Sequence, residues 1–263
     1  EGAFVGWDGT DWVRSGSDTA TLQNLERVGV GTEADDQNVF AAKLNNALWT
    51  ARATGEGGTG DLRYVLNKEE AGNVLSVLMQ SGWSGRAELG LIGAEDFTLK
   101  VSPDGSTWRE ALNADRQTGI VSQPALPRFK AMTNYDNHVS AGIWTKIGIN
   151  EAEYDEQGCF DAANNQFIAP AAGTYLVGAS LLYKRDASND ARMRARMVLN
   201  GTTEIKGSSG EISGTHETLA TALQLTTLLP LAAGDTVELQ GYFRGAAGYF
   251  AADHTTFWGV KIG

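Results

Sequence analysis

The sequence has 263 residues, enough for one large or two ordinary domains, and its 42% of hydrophobic residues is typical of globular proteins. Its formal net charge of −11 disfavours sequence-independent binding to nucleic acid and to anionic membranes, because the field of the protein repels phosphates. The single cysteine, Cys159, excludes an internal disulfide, and no apolar run approaches the ~20 residues of a membrane-spanning helix. We therefore expect neither nucleic acid nor an inserted membrane segment among its partners.

The chain contains turn signals at the spacing of short strands. The chain starts at Glu1, already at the edge of a strand–turn–strand pattern, so we expect a C-terminal fragment of a longer protein. Asp8-Gly9, Asp104-Gly105 and Asn200-Gly201 are hairpin-type dipeptides. Residues 33–49 are compatible with a short helix or with a pair of strands. Residues 86–101 alternate as two strands around a turn near Gly93.

A proline-containing stretch without periodicity, residues 122–129, is assigned as a linker between residues 1–121 and residues 130–263. After it the sequence is a regular series of strands, which predicts a sandwich or jelly roll of about 130 residues. Residues 175–183 are apolar on both faces, so this strand is expected to be buried on both sides, either in a sandwich core or between its own core and another subunit.

The strand series carries motifs in a fixed order: FDAANNQFIAPAAGTYLVGASLLY, then VLNG, then LLPLAAGDTVELQGYF, and TFWGVKIG at the end. This order resembles the globular heads of the C1q/TNF-like families. The corresponding residues are Phe167, Pro170, Gly173, Tyr175, Asn200, Gly201, Leu231, Gly234, Asp235, Val237, Leu239, Phe257 and Gly259. The resemblance implies an all-β protein with a ten-strand jelly roll that forms homotrimers and binds ligands without catalysis.

The N-terminal part resembles a domain of phage-like proteins, most distinctively in SGWSGRAELGL and DFTLKVSPDGSTW. Together with a C1q-like head it resembles the head spikes or fibres of gene transfer agents. The resemblance implies a smaller β-rich spike or shaft domain over residues 1–121, and attachment to the capsular polysaccharide of a host cell. It also implies contacts to other particle proteins through a part preceding residue 1. The protein would be made in the bacterial cytoplasm and lie on the particle surface after release by lysis.

Two stretches combine the aromatic and planar polar side chains that carbohydrate sites use. The stretch 242–255 offers Tyr242, Arg244, Tyr249, Asp253 and His254. The stretch 182–197 places three arginines on one strand face: Arg192, Arg194 and Arg196. Each has a structural alternative. Tyr249 and Phe250 could fill the end of the sandwich or the trimer seam, and the arginines could form a solvated face paired with cross-strand carboxylates.

Enzyme motifs are weak, and we expect no catalysis, cofactor or metal. Residues 29–34 match a loose G-x-G-x-x-A without the acidic residue that a dinucleotide site needs. His138, His216 and His254 lack ligand spacing. Two alternatives to polysaccharide attachment stay open: a depolymerase, whose two carboxylates need only meet in space, and a purely structural fibre tip.

Overall fold

The structure, a computed structural model, describes residues 24–185, 192–213 and 221–263, together with the backbone of residues 5–7 and 12–14. The described residues form strands and one 3-10 turn, Thr54–Glu56, and none of them lies in an α-helix. The all-β prediction is therefore confirmed. The chain divides into two compact units, Glu1–Leu66 and Asn67–Gly263.

The first unit contains two short strand pairs. Strands β1 (Val5–Trp7) and β2 (Trp12–Arg14) are antiparallel, and β3 (Val28–Val30) runs parallel to β4 (Phe40–Ala42). Asp8-Gly9 lies outside the described residues. In the stretch 33–49 only β4 is regular, because the Asp35 carboxylate accepts the backbone N–H groups of Gln37 and Asn38 and holds a turn there instead of a helix.

The second unit opens with a five-stranded antiparallel meander in chain order. Its strands are β5 (Val74–Ser81), β6 (Ser84–Ile92), β7 (Phe97–Val101), β8 (Arg109–Ala114) and β9 (Val121–Ser122). The two predicted turns are confirmed. Gly93 and Gly105 both adopt positive φ, at 70° and 85°. The Asp104 carboxylate accepts the backbone N–H groups of Ser106 and Thr107, which holds the pKa of Asp104 well below its ordinary value.

Two seven-stranded sheets follow. The first sheet consists of β10 (Arg128–Met132), β11 (Asn137–Val139), β13 (Glu151–Tyr154), β16 (Gly173–Arg185), β20 (Thr221–Leu231), β22 (Gly248–Phe250) and β23 (Thr256–Lys261). The second sheet consists of β12 (Thr145–Lys146), β14 (Phe160–Asp161), β15 (Gln166–Ile168), β17 (Arg192–Leu199), β18 (Thr203–Glu204), β19 (Gly210–Ser213) and β21 (Thr236–Arg244). The central orders are β10-β23-β16-β20 and β15-β21-β17-β19, and the chain crosses repeatedly from one sheet to the other. This topology is the predicted jelly roll.

Aromatic rings from both sheets form the centre of the core. The Phe129 ring stacks on those of Phe160 and Phe167, at centroid distances of 5.2 and 4.9 Å, and meets Phe257 edge-on at 5.0 Å. Cys159 is buried beside this cluster. Burial, and then the neighbouring Asp155 carboxylate, raise the pKa of the Cys159 thiol to about 12.

Strand β16 has one buried face and one half-covered face. Its core side is almost fully inaccessible: Tyr175, Val177, Ala179, Leu181 and Tyr183. On the outer side Leu176 and Leu182 are half-buried, and Leu228 on the adjacent strand is 59% exposed. Within a single chain, the strand is therefore buried on one face only, and burial of its outer face against another subunit stays a prediction.

The Asn200-Gly201 hairpin is confirmed, with φ of 50° and 68° at the two residues, as a type I′ turn requires. The Asn200 amide donates to the Asp235 carboxylate at 2.9 Å and accepts the Thr236 backbone N–H at 2.8 Å. The Asn200 bond, followed by the Ala232 N–H, lowers the pKa of Asp235. The turn is thereby tied to the start of β21.

Strand β10 begins inside the interval that the sequence assigned to a linker. Its Arg128 and Phe129 pair with Val260 and Gly259 of β23, and Phe129 is fully buried. Val121 and Ser122 form β9, the edge strand of the five-stranded sheet, and pair with β8. The division into 1–121, 122–129 and 130–263 stays a prediction.

A substitution at Gly241 tests the packing of the sandwich, because a Cβ at this position would overlap the Phe250 ring. We expect Gly241→Ala to lower the free energy of unfolding by about 1–3 kcal/mol, the usual cost of overpacking a core. Thermal unfolding monitored by circular dichroism measures the change. Gly72→Ala is the matched control, since no atom lies within 4 Å of its added Cβ. Equal melting temperatures for the two variants would contradict this packing.

Two fragments test the domain proposal. We expect residues 122–263 to fold alone, because they contain every strand of both jelly-roll sheets. Residues 130–263 lack the buried Phe129 ring and should be less stable by about 3–5 kcal/mol, the usual cost of truncating a core Phe. Thermal melts of both fragments give the comparison. If 122–263 is unfolded, the jelly roll depends on residues before 122 and the proposed boundary is wrong.

Candidate functional site

Five of the eight predicted site residues lie together on the outer face of the second sheet. Strands β17 and β21 are neighbours, and their register pairs Arg192 with Arg244 and Arg194 with Tyr242. Arg196 pairs with Gln240, which the sequence analysis did not single out. Alternate residues of a strand point to opposite faces of the sheet. Since the residues between the named positions are buried in the core, the side chains at the named positions point outward.

The geometry adds a residue that sequence reasoning missed, Trp144, which precedes β12. Its ring centroid lies 5.3 Å from that of Tyr242. The guanidinium carbon of Arg196 lies 4.1 Å from the Trp144 centroid, and that of Arg194 lies 5.3 Å from Trp144 and 5.8 Å from Tyr242. These distances are those of cation–π contacts. We call this set, with Gln240, the arginine–aromatic face: Trp144, Arg194, Arg196, Gln240 and Tyr242.

Hydrogen bonds fix the planar groups of this face. Arg196 donates through Nε and Nη2 to the Gln240 side-chain oxygen, at 3.0 and 2.8 Å, and through Nη1 to Glu204 at 3.0 Å. Gln240 in turn donates to Glu238 at 2.9 Å. Arg194 Nε lies 3.4 Å from Glu211. The carboxylate pairing that the sequence analysis considered is thus present for two of the three arginines, alongside the aromatic contacts.

The face is locally cationic in an acidic protein. Among the described residues, this side of the second sheet carries five cations, Arg192, Arg194, Arg196, Arg244 and Lys146, and four carboxylates, Asp161, Glu204, Glu211 and Glu238. The largely buried Glu238 is neutralised by Lys146 at 2.8 Å. The side chains of Arg194 and Arg196, which pair with Glu211 and Glu204, stay 37% and 24% exposed, so they can still meet a ligand.

The other three predicted residues belong to the opposite side of the sandwich. Tyr249 lies on β22 of the first sheet and points outward, where its ring meets His138 edge-on at a centroid distance of 5.0 Å. Asp253 adopts a positive φ of 61° in the turn before β23 and is exposed, as is His254. Phe250 is fully buried against Phe243. The stretch 242–255 therefore does not form one site.

The sequence contains one weak indication that Trp144 faces outward beside the site. In the segment WTKIGI, Trp144 and Lys146 share one phase of the strand alternation, and the apolar Ile147 and Ile149 occupy the core. Its partner strand β21 lies about a hundred residues later in the chain, so only the register of β12 with β21 brings Trp144 to Tyr242.

Other chemistry-bearing features are sparse among residues 24–185, 192–213 and 221–263. Within them no three His, Cys, Asp or Glu side chains lie close enough to hold a metal ion. No helix of the described part is long and apolar enough to cross a membrane. His216 lies outside the described residues. A groove of about 680 Å³ between the five-stranded sheet and the jelly roll is mostly apolar and has two cations, Arg109 and Lys261, in its lining.

No protein-family model matches the chain. Among curated proteins, it is 31% identical over 100 residues to the "Uncharacterized protein YqcC" of Bacillus subtilis (strain 168). The match covers 37% of this chain and 27% of that protein, so the chain spans about a quarter of the length of the relative.

Two solved structures match about half of the chain. The globular domain of zebrafish complement 1qA protein is 14% identical with a TM-score of 0.40, and the match covers 52% of this chain and 98% of that one. The structure of Eiger TNF from S. frugiperda is 13% identical with the same TM-score, covering 52% and 92%. The jelly roll itself rests on the strand order and pairing described above.

Proposed function

We propose that this chain is the head of a trimeric spike or fibre on a gene transfer agent or phage-like particle. It attaches the particle to cell-surface capsular polysaccharide without cleaving it. The observation that carries the attachment is the arginine–aromatic face, in which two adjacent ring systems and three planar polar groups lie on one rigid sheet surface.

A sugar ring has an apolar C–H face and a rim of hydroxyl groups, so it needs a flat apolar support flanked by planar donors and acceptors. Trp144 and Tyr242 supply the support, both only half-buried. Arg194, Arg196 and Gln240 supply the donors and acceptors. Their mutual contacts restrict the side-chain rotamers, which lowers the entropy lost when a ligand binds.

The charge of the face favours acidic polysaccharides. Uronate, phosphate and sulfate groups are repelled at long range by the net charge of −11, so binding requires a local cationic surface. Among the described residues, five cations against four carboxylates leave this side of the sheet with a net positive charge. Guanidinium groups pair with carboxylate and phosphate in two parallel hydrogen bonds, which favours arginine over lysine for this task.

Two observations support the trimer and the particle. The outer face of β16, β20 and β23 displays Leu176, Leu228, Trp258 and Val260 in adjacent positions, an apolar surface that a closed assembly would cover. The sequence resemblance of residues 1–121 to phage-like proteins supports the particle. Three copies would also present three arginine–aromatic faces, and avidity would strengthen a weak single-site affinity.

Arg194→Glu and Trp144→Ala test the site. We expect Arg194→Glu to weaken binding to purified acidic capsule by about tenfold, since a contact of ~1 kcal/mol is replaced by repulsion. Trp144→Ala should cost about three- to tenfold, the value of an aromatic contact of ~0.5–1.5 kcal/mol. Biolayer interferometry on immobilised capsule measures both, and the parent affinity should fall as salt rises.

Matched controls come from the same jelly roll. Lys206→Glu makes the same charge change at an exposed turn after β18, and Tyr249→Ala removes an aromatic ring from the opposite sheet. Both should bind like the parent. If Tyr249→Ala loses binding and Trp144→Ala does not, the site lies on the first sheet and the proposal is wrong. Capsule shortened during incubation would favour a depolymerase, and no binding by the parent would favour a structural fibre tip.

The trimer has a separate test. At micromolar concentration we expect multi-angle light scattering to give three times the chain mass of 28.0 kDa, because assembly covers the apolar outer face of the first sheet. Trp258→Glu should shift the mass toward that of one chain, whereas Lys206→Glu should not. A parent protein that elutes as a single species of 28.0 kDa would rule out the trimer.

A further inference from the structure

The five-stranded sheet β5–β9 has one face made almost wholly of apolar side chains. The strand register aligns them in three rows across the sheet: Leu75, Leu91 and Phe97; Val77, Leu89, Leu99 and Leu112; Met79, Ala87 and Val101. Ala114 and Val121 extend the first row onto β8 and β9, and Arg109 ends the third row as its one charged residue. We call this surface the apolar sheet face.

The opposite face of the same sheet has a different chemistry. There the Ser76 hydroxyl donates to the Glu88 carboxylate at 2.6 Å, and Lys100 lies beside Glu88 and Glu110 in register. An antiparallel sheet that is solvated on one side has this pattern, with its apolar side packed on a core. Val74, Leu78 and Ile92 also lie on this opposite face, which is therefore mixed, whereas Arg109 is the one charged residue among the rows of the apolar sheet face. The apolar sheet face is thus the side that needs a cover.

Within the described part of residues 67–263, nothing covers the apolar sheet face. Val77, Met79 and Phe97 are each 48% exposed. Even Leu89 and Leu99, on the inner strands, are only half-buried. From strand spacings of about 4.8 Å and about 6.8 Å between rows, the three rows occupy a flat area of about 400 Å². That is the size of the largest apolar patches on soluble monomers, which are often functional.

We propose that other copies of this chain cover the apolar sheet face, with three such faces packed around the three-fold axis as a shaft below the jelly rolls. This inference rests on the trimer of the proposed function. Identical faces cover one another in a closed symmetric assembly, and Arg109 at the end of the third row is the one side chain of these rows that can donate a hydrogen bond. The apolar outer surface of the first jelly-roll sheet would add to the area that each chain buries in such an assembly.

A cysteine at the centre of the face tests this arrangement in the full chain. Leu99→Cys lies in the middle row, and Lys100→Cys, the next residue along β7, points to the polar face and is the matched control. The native Cys159 does not compete, because it is buried and its pKa is raised. We expect a short trifunctional maleimide to give a three-chain band on a denaturing gel with Leu99→Cys, and only single chains with Lys100→Cys.

Light scattering of the same samples separates the two proposals. A trimeric mass without cross-linking at Leu99→Cys would overturn the shaft and leave the trimer standing. A single-chain mass without cross-linking would overturn both. If Leu99→Cys does not fold, Val77→Cys at the edge of the same row gives the same reading.

Discussion

The position of the candidate site follows from the alternation of side chains along β17 and β21. Met193, Ala195 and Met197 lie in the core, so the arginines that alternate with them face solvent. The same constraint acts on β21, where the buried Leu239 and Phe243 direct Gln240, Tyr242 and Arg244 outward. A register slip of one residue would exchange the two sets and destroy the core and the site together. The chemistry of the face is thus protected by the stability of the sandwich.

The sequence predicted what depends on neighbours along the chain. Alternation assigned Arg192, Arg194 and Arg196 to one face, and Asn-Gly predicted a hairpin that the positive φ values confirm. It did not predict Trp144 in the site, because β12 has only two residues and reaches Tyr242 through pairing with a strand about a hundred residues away. It also joined Tyr249 to Tyr242 on the basis of closeness in sequence, although the chain crosses from one sheet to the other between them.

The jelly roll and the five-stranded sheet of the second unit differ in how they bury apolar side chains. In the jelly roll, two sheets enclose a core in which Phe129 contacts three other aromatic rings. The five-stranded meander is a single layer, held by backbone pairing and by turns such as that of Asp104. A single layer cannot exclude water from either side of itself, so its stability is more closely linked to its surroundings than that of a closed sandwich.

The Asn200 turn has a chemical consequence beyond its geometry. Asn-Gly is the dipeptide most prone to spontaneous deamidation, in which the glycine nitrogen attacks the side-chain carbonyl carbon to close a succinimide ring. Here the amide of Asn200 is held on both sides, by the Asp235 carboxylate and by the Thr236 N–H. Closing the ring would require both bonds to break while the turn rotates. The bonds that tie this hairpin to β21 therefore also slow its chemical ageing.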